Sequence, residues 1–171
     1  YNATPVFYND IDNFMLCSFT CSEDLISLYN CFDDQEVKDL RLNAFFEARE
    51  DEQYKVAKVV EKVYDCFVIR SAGVYLNKAE AEAMLDKAEA KQTIKTLLNN
   101  RFEGGIPDVD GLNEKDLISF IRDERRRELC FEAHRWFDLR RYAVSSKYPE
   151  KKSIRHETYD KNGVLEGDYV L

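Results

Sequence analysis

Two carboxylates one helical turn apart are the feature of this sequence that most suggests chemistry. Glu124 and Glu128 follow Leu117 in a run that starts at Asn113. On a helical projection both carboxylates fall within about 20° of Leu117, so they are predicted to share its apolar face. Their Cβ atoms would lie about 5–6 Å apart, close to the carboxyl separation of retaining glycosidases. One interpretation is therefore an acid and base for glycoside hydrolysis.

The same two glutamates have a structural interpretation, which we favour. Catalytic carboxyl groups must flank a glycosidic bond from opposite sides, and neighbours on one helix face cannot easily do so. Buried carboxylates are costly unless cations pair with them. The expected partners are Arg135 and either Arg140 or Arg141, which would fix how this helix crosses the next one, so no catalytic residue is assigned. The intervening charged side chains are expected to point outward: Arg122, Asp123, Arg126 and Arg127.

No other residues form a recognisable reactive or metal-binding pattern, and neither a metal nor a cofactor is predicted. His134 and His156 are the only histidines. No Ser/His/Asp or Cys/His arrangement and no glycine-rich phosphate loop stands out. The cysteines are five in number, which excludes complete pairing within one chain. We expect them to be small buried side chains, with a disulfide as the alternative: Cys17, Cys21, Cys31, Cys66 and Cys130.

Composition narrows the class of partner. The 171 residues carry a formal net charge of −8, and 34% of them are charged. Such a chain repels nucleic-acid phosphates and anionic membrane surfaces, so neither is a predicted partner. No apolar run approaches the ~20 residues that cross a bilayer. The sequence begins at Tyr1 without an initiator Met or a secretory signal, and we expect a fragment of a longer protein.

The elements that position these residues are predicted to be mostly α-helical. Residues 1–66 read as a mixed, irregular segment with minor β-structure, 67–144 as a core of helix pairs, and 145–171 as a loop-rich tail. Helices over 68–86 and 89–101 are expected to form an antiparallel hairpin. Its contact face is predicted to consist of small side chains that permit close approach: Ala72, Ala79 and Ala83.

Two further helices are predicted in the core. Asn113 can cap the helix that carries the glutamates, with Asp116 in its first turn, and Arg135–Tyr142 forms a short fourth helix. Gly104 and Gly105 separate the second helix from the third, because glycine readily adopts left-handed conformations. Two helix pairs in succession resemble tetratricopeptide units, although the repeat consensus is only partly met.

The residues of the third and fourth helices also resemble a family signature. Residues 124–141 read E-R-R-R-E-L-C-F-E-A-H-R-W-F-D-L-R-R and are similar to the E-R-R-x-E-L-x-F-E-G-x-R-W-x-D-L-R-R run of SusD/RagB proteins. Arg70 with residues 75–81 resembles their R-x-A-E-x-Y-L-x-x-A-E-A signature, and Arg101 falls where the family has an N-x-x-R ending. Residues 54–58 resemble a Y-x-x-x-K stretch. The agreement extends over roughly residues 20–142.

The resemblance assigns structural rather than catalytic roles to the matching residues. Trp136 is interpreted as a packing anchor between helices. Gly73 stands where a Glu is usual, which leaves Arg70 with a different partner, and Ala133 stands where a Gly is usual, which argues against a positive φ there. The structural motif residues are Arg70, Asn77, Glu80, Arg101, Glu124, Arg125, Glu128, Glu132, Arg135, Trp136, Asp138, Arg140 and Arg141.

The resemblance implies a SusD-like helical fold with tetratricopeptide-like helix pairs, and a binding protein that is not an enzyme. It implies capture of an oligosaccharide, or less often a peptide, and delivery to a TonB-dependent transporter of the SusC type. It also implies a surface-exposed position at the outer membrane through a lipidated N-terminal Cys, which these residues lack. Ligand contacts vary among such proteins, so no ligand-binding residue is assigned. The alternative is a soluble tetratricopeptide-like adaptor that binds a protein helix.

Overall fold

The computed structural model describes residues 3–6, 18–30, 37–49, 53–58, 70–153, 155–160 and 164–170. The fold is mostly α, as predicted. Its helices in these stretches are α1 (Glu23–Asn30), α2 (Arg41–Phe45), α3 (Ser71–Met84), α4 (Glu89–Leu98), α5 (Glu114–Glu128) and α6 (His134–Ala143). Its strands are β1 (Ala3–Val6), β2 (Ser18–Cys21), β3 (Lys38–Asp39), β4 (Phe46–Ala48), β5 (Tyr54–Val56), β6 (Phe102–Glu103), β7 (Arg155–Tyr159) and β8 (Leu165–Val170). Within the described stretches, no helix is both long and apolar enough to span a bilayer.

The predicted helical hairpin is present. Helices α3 and α4 are joined by residues 85–88 and pack against each other. The three alanines predicted at the contact are buried, with Ala72 4%, Ala79 0% and Ala83 3% exposed. Side chains without branches let the two backbones approach, and the larger Ile94 and Leu98 of α4 fill the space opposite. Residues 68 and 69, where the helix was expected to begin, lie outside the described residues.

Helix α5 packs across this hairpin and completes the main core. Leu117, Ile118 and Ile121 are buried in the same cluster as the α3 alanines. The predicted cap is confirmed, because the Asn113 side-chain oxygen accepts a hydrogen bond from the Asp116 amide at 3.0 Å. This cap satisfies an amide that would have no partner within the helix. The start of α5, and hence the position of its glutamates, is therefore fixed locally.

Short antiparallel strands connect the first third of the chain to this core. One sheet has the order β1–β2–β5–β4, and a second consists of β3 and β6 only. In the second sheet Lys38 faces Glu103 and Asp39 faces Phe102, which brings the residues ahead of α2 beside the end of α4. A smaller core of Leu25, Ile26, Tyr29, Phe46, Cys21 and Cys130 lies under α1.

The C-terminal tail contains regular structure. It was expected to be loop-rich, but β7 and β8 form an antiparallel hairpin. A two-stranded antiparallel sheet can be formed by a polar stretch because one of its faces can remain in solvent.

Two of the five cysteines lie in the described residues. Cys21 and Cys130 are free and buried, as predicted. Cys17, Cys31 and Cys66 lie outside the described residues.

Enlarging the hairpin contact tests this packing. Ala79→Leu inserts three carbons where no space is open, and we expect it to lower the free energy of unfolding by about 1–3 kcal/mol or more. Ala81→Leu is the matched control because Ala81 lies two residues away on the exposed face of α3, and its effect should stay within ~0.5 kcal/mol. Urea denaturation measures both. Equal effects at the two positions would contradict a close α3–α4 contact.

Candidate functional site

The two glutamates on the inner face of α5 are buried, as predicted. Glu124 and Glu128 are both 0% exposed. An ionised carboxylate without solvent costs several kcal/mol unless cations and hydrogen bonds replace the lost water. What this pair can do chemically therefore depends on the groups that surround it.

Arg41, the first residue of α2, bridges both carboxylates. Its guanidinium donates to Glu124 Oε1 at 2.6 Å and Oε2 at 3.1 Å, and to Glu128 Oε2 at 3.0 Å. Asp39 holds the other edge of the same guanidinium through bonds of 2.8 and 2.9 Å. The pairing of β3 with β6 places Asp39 there, and the Phe102 ring lies 5.5 Å from the Arg41 guanidinium carbon.

Glu128 binds two further arginines from other parts of the chain. Arg101, just after α4, donates to both carboxylate oxygens at 2.8 and 3.0 Å. Arg70, just before α3, donates to Oε1 at 3.1 Å. Glu124 has its second cation in Arg127, one turn along α5, at 2.8 Å. Three separate segments of the chain therefore converge on one turn of α5.

The network continues into the turn after α5. Glu132 accepts bonds from Arg70 at 2.8 and 3.0 Å and forms an ion pair with Lys58 at 2.6 Å. The Lys58 ammonium also donates to the carbonyl oxygens of Glu128 and Cys130, at 2.6 and 3.1 Å. Carbonyls at the end of a helix have no partner within it, so these bonds cap α5 with positive charge.

A second ionic group ties α6 to α3. Arg141 donates to the two Glu80 oxygens at 2.7 and 2.8 Å. Arg125 donates to Asp138 at 2.7 Å and to the side-chain oxygen of Asn77 at 2.7 Å. Two guanidinium groups lie close to the Tyr142 ring: their carbon atoms are 4.4 Å (Arg122) and 4.6 Å (Arg141) from the ring centroid.

The arginines keep the α5 carboxylates ionised. Burial alone would raise the pKa of Glu128, but hydrogen bonds from Arg101 and the charges of Arg41, Arg101 and Arg70 lower it to about 2. Burial likewise opposes ionisation of Glu124, and the charges of Arg41 and Arg127 lower its pKa. A general acid at neutral pH needs a raised pKa and access to the leaving group, and these carboxyls have neither.

The predicted arginine partners are wrong, although the predicted network exists. Arg135 and Arg140 do not bind the glutamates, and Arg141 binds Glu80 and Asp138 instead. The reason is the position of α6, which lies beside the flank of α5 that carries Arg125, about 100° around the helix from Glu124. Proximity in sequence therefore does not bring α6 to the glutamate face.

Three further expectations about this region are also corrected. Arg122, Arg126 and Arg127 are 5%, 6% and 1% exposed, not outward-pointing. Ala133 has φ 62°, although alanine resists that region, because the turn between α5 and α6 requires it. Trp136 is 49% exposed, so within the described residues it does not anchor a helix contact.

Sequence reasoning missed four residues of the network. Asp39 and Arg41 carried no recognised signal, Arg127 was expected to point outward, and Lys58 was noted only as the end of a family-like stretch. Arg41 lies 83 positions before Glu124, so only the tertiary fold brings them together. Among the described residues, no group of three or more His, Cys, Asp or Glu side chains could hold a metal ion.

Comparison with known proteins agrees with the resemblance in the motif. The model of the SusD family matches residues 41–167. A SusD-like protein of Formosa agariphila is 37% identical over 96 residues, which are 51% of this chain and 19% of that protein. The crystal structure of a SusD-like carbohydrate binding protein from Bacteroides vulgatus matches with a TM-score of 0.55 and 22% identity, over 90% of this chain and 33% of that one. The chain thus spans a third or less of these two proteins.

Removing the carboxylate at the centre of the network tests its contribution to stability. Glu128→Ala leaves Arg101 without a carboxylate partner and removes one of the partners of Arg41 and Arg70, and we expect it to lower the free energy of unfolding by ~3–5 kcal/mol. Glu47→Ala is the control, since that side chain is 69% exposed and 4.0 Å from Lys55; its effect should stay within ~1 kcal/mol. Chemical denaturation measures both, and an unchanged midpoint in Glu128→Ala would refute the network.

The lowered pKa values predict acid sensitivity with a definite sign. Glu128 titrates at about 2 in the folded protein against an ordinary value of 4.5, so its stabilisation is complete above 4.5 and is lost as the pH falls towards 2. The free energy of unfolding should therefore decline between pH 5 and pH 3. The decline should be shallower in Glu128→Gln, and urea titrations at several pH values measure it. Identical slopes in the two proteins would contradict the assignment.

Proposed function

Because this chain belongs to the SusD family, we propose that it is part of a cell-surface protein that captures oligosaccharides and does not hydrolyse them. The whole protein then delivers its ligand to a TonB-dependent transporter of the SusC type and is held at the outer membrane by a lipid anchor. The family match carries this proposal, and it favours the proposal over a soluble tetratricopeptide-like adaptor. The Bacteroides vulgatus structure with this fold is that of a carbohydrate binding protein.

The state of the carboxylate pair supports a binder over a hydrolase. Glycoside hydrolysis needs two carboxyl groups in a cleft that admits the sugar and a water molecule. Glu124 and Glu128 instead point into the protein, and every carboxylate oxygen accepts from an arginine. These groups maintain the fold, so ligand recognition requires other residues.

One aromatic residue can be removed from the candidate sugar platforms. Tyr29 is 3% exposed, and its hydroxyl donates to the carbonyl of Arg127 at 2.7 Å. It therefore belongs to the small core under α1. The other aromatic residues considered from the sequence, Tyr1, Phe7, Tyr8 and Phe14, lie outside the described residues.

Calorimetry combined with product analysis tests the proposal on the full gene product. A panel of oligosaccharides should include at least one that binds saturably, and none should be cleaved on prolonged incubation. Glu124→Gln should leave that affinity unchanged at temperatures where circular dichroism shows a folded protein, with Glu47→Gln as the matched control. Hydrolysis of an oligosaccharide that disappears in Glu124→Gln but persists in Glu47→Gln would contradict the proposal that the protein only binds its ligand.

A further inference from the structure

Two buried cysteines from distant parts of the chain lie in one small core. Cys21, the last residue of β2, is 8% exposed, and Cys130, in the turn after α5, is 4% exposed. Both belong to the core under α1, and both are free thiols in the structure. The proposed function gives neither thiol a role.

The first sheet brings the two cysteines to the same region. Thr20, next to Cys21, pairs with Lys55 of β5, and β5 leads to Lys58. The Lys58 ammonium donates to the Cys130 carbonyl oxygen at 3.1 Å and lies 3.9 Å from the Cys130 sulfur atom. Hydrogen bonds along β2, β5 and the end of α5 therefore hold both cysteines at this core.

The groups around the Cys130 sulfur do not depend on it. The Tyr29 hydroxyl lies 3.4 Å from the sulfur, but it donates to the carbonyl oxygen of Arg127 at 2.7 Å. The Lys58 ammonium has the Glu132 carboxylate and two carbonyl oxygens as closer partners. A covalent bond from this sulfur to a second one therefore leaves no buried donor without an acceptor.

Both thiols are poor nucleophiles once the core has closed. Burial, and after it the charge of the Cys130 thiolate, raise the pKa of Cys21 to about 12, and the second effect reflects how close the two cysteines lie. Burial also raises the pKa of Cys130, against the opposing charge of Lys58. The thiolate is the form that attacks a disulfide. Oxidation of this pair therefore has to occur while the chain folds.

We propose that Cys21 and Cys130 form a disulfide when the chain folds in an oxidising compartment. For its occurrence in the cell this rests on the proposed cell-surface location, because cytosolic thiols are kept reduced. The bond ties the start of α1 to the end of α5 and closes a loop that contains five helices. Long loops are those in which a cross-link restricts the unfolded chain most.

The oxidant is an external disulfide, and the reaction is thiol–disulfide exchange. One cysteine thiolate attacks a sulfur atom of the oxidant, which forms a mixed disulfide and releases one thiol. The second cysteine then attacks the mixed disulfide and releases the other thiol. Two electrons and two protons pass from the pair of cysteines to the oxidant, which leaves as two thiols.

Refolding of the full gene product in a buffer of oxidised and reduced glutathione tests the pair. Free thiols are blocked with iodoacetamide during denaturation, and peptide mapping without reductant should find the peptides of Cys21 and Cys130 joined. Protein refolded in this buffer should melt about 5 °C or more above protein refolded with a reductant. This difference should disappear in Cys130→Ala and persist in Cys31→Ala, the matched control.

Three outcomes would overturn the proposal. The first is complete alkylation of both cysteines, and the second is a bond from either of them to another cysteine or to glutathione. The third is an equal melting difference in Cys130→Ala, because other cysteines would then supply the stabilisation. The refolding experiment contains neither an oligosaccharide nor a membrane, so the glycan-binding proposal can fail while the disulfide forms, and the disulfide can fail to form while glycans bind.

Discussion

The buried carboxylate of Glu128 binds three arginines from separate parts of the chain. Arg41 begins α2, Arg70 precedes α3 and Arg101 follows α4, and all three guanidinium groups bond to the same carboxylate. Without those cations the buried carboxylate could not remain ionised, and without the carboxylate the cations would repel one another. The ends of three elements are thereby tied to one turn of α5. Displacement of any one of them removes a hydrogen bond from this carboxylate and part of the positive charge that keeps it ionised.

The same network stabilises a backbone conformation that is unfavourable by itself. Phe131 and Ala133 both have φ 62° in the turn between α5 and α6, which costs roughly 1–2 kcal/mol for a residue with a Cβ atom. Lys58 and Arg70 bind carbonyl oxygens at the end of α5 and the carboxylate of Glu132 within this turn. The ionic contacts therefore set the direction in which α6 leaves α5, and with it the outward orientation of Trp136.

This arrangement separates the residues that maintain the fold from those available for recognition. Most charged residues of the 124–141 signature form ion pairs within the protein. Examples are Arg125 with Asp138, and Arg141 with Glu80. The arrangement also explains why carboxylates at a spacing suggestive of hydrolysis have no catalytic chemistry here: their pKa values are lowered and their oxygens are occupied.

Local sequence determined the elements, because their signals depend on near neighbours. The period of the alanines predicted the α3–α4 contact, the Asn113 cap predicted the start of α5, and the position of Glu124 and Glu128 on an apolar face predicted buried, arginine-paired carboxylates. Tertiary structure decided which arginines those are. Arg41 reaches Glu124 across 83 positions through the pairing of β3 with β6, and α6 packs on a different flank of α5 from the one that its closeness in sequence suggested. An ion pair between distant residues produces no periodic pattern in the sequence. Any arginine can pair with a carboxylate, and only the packing of the elements determines which arginine does.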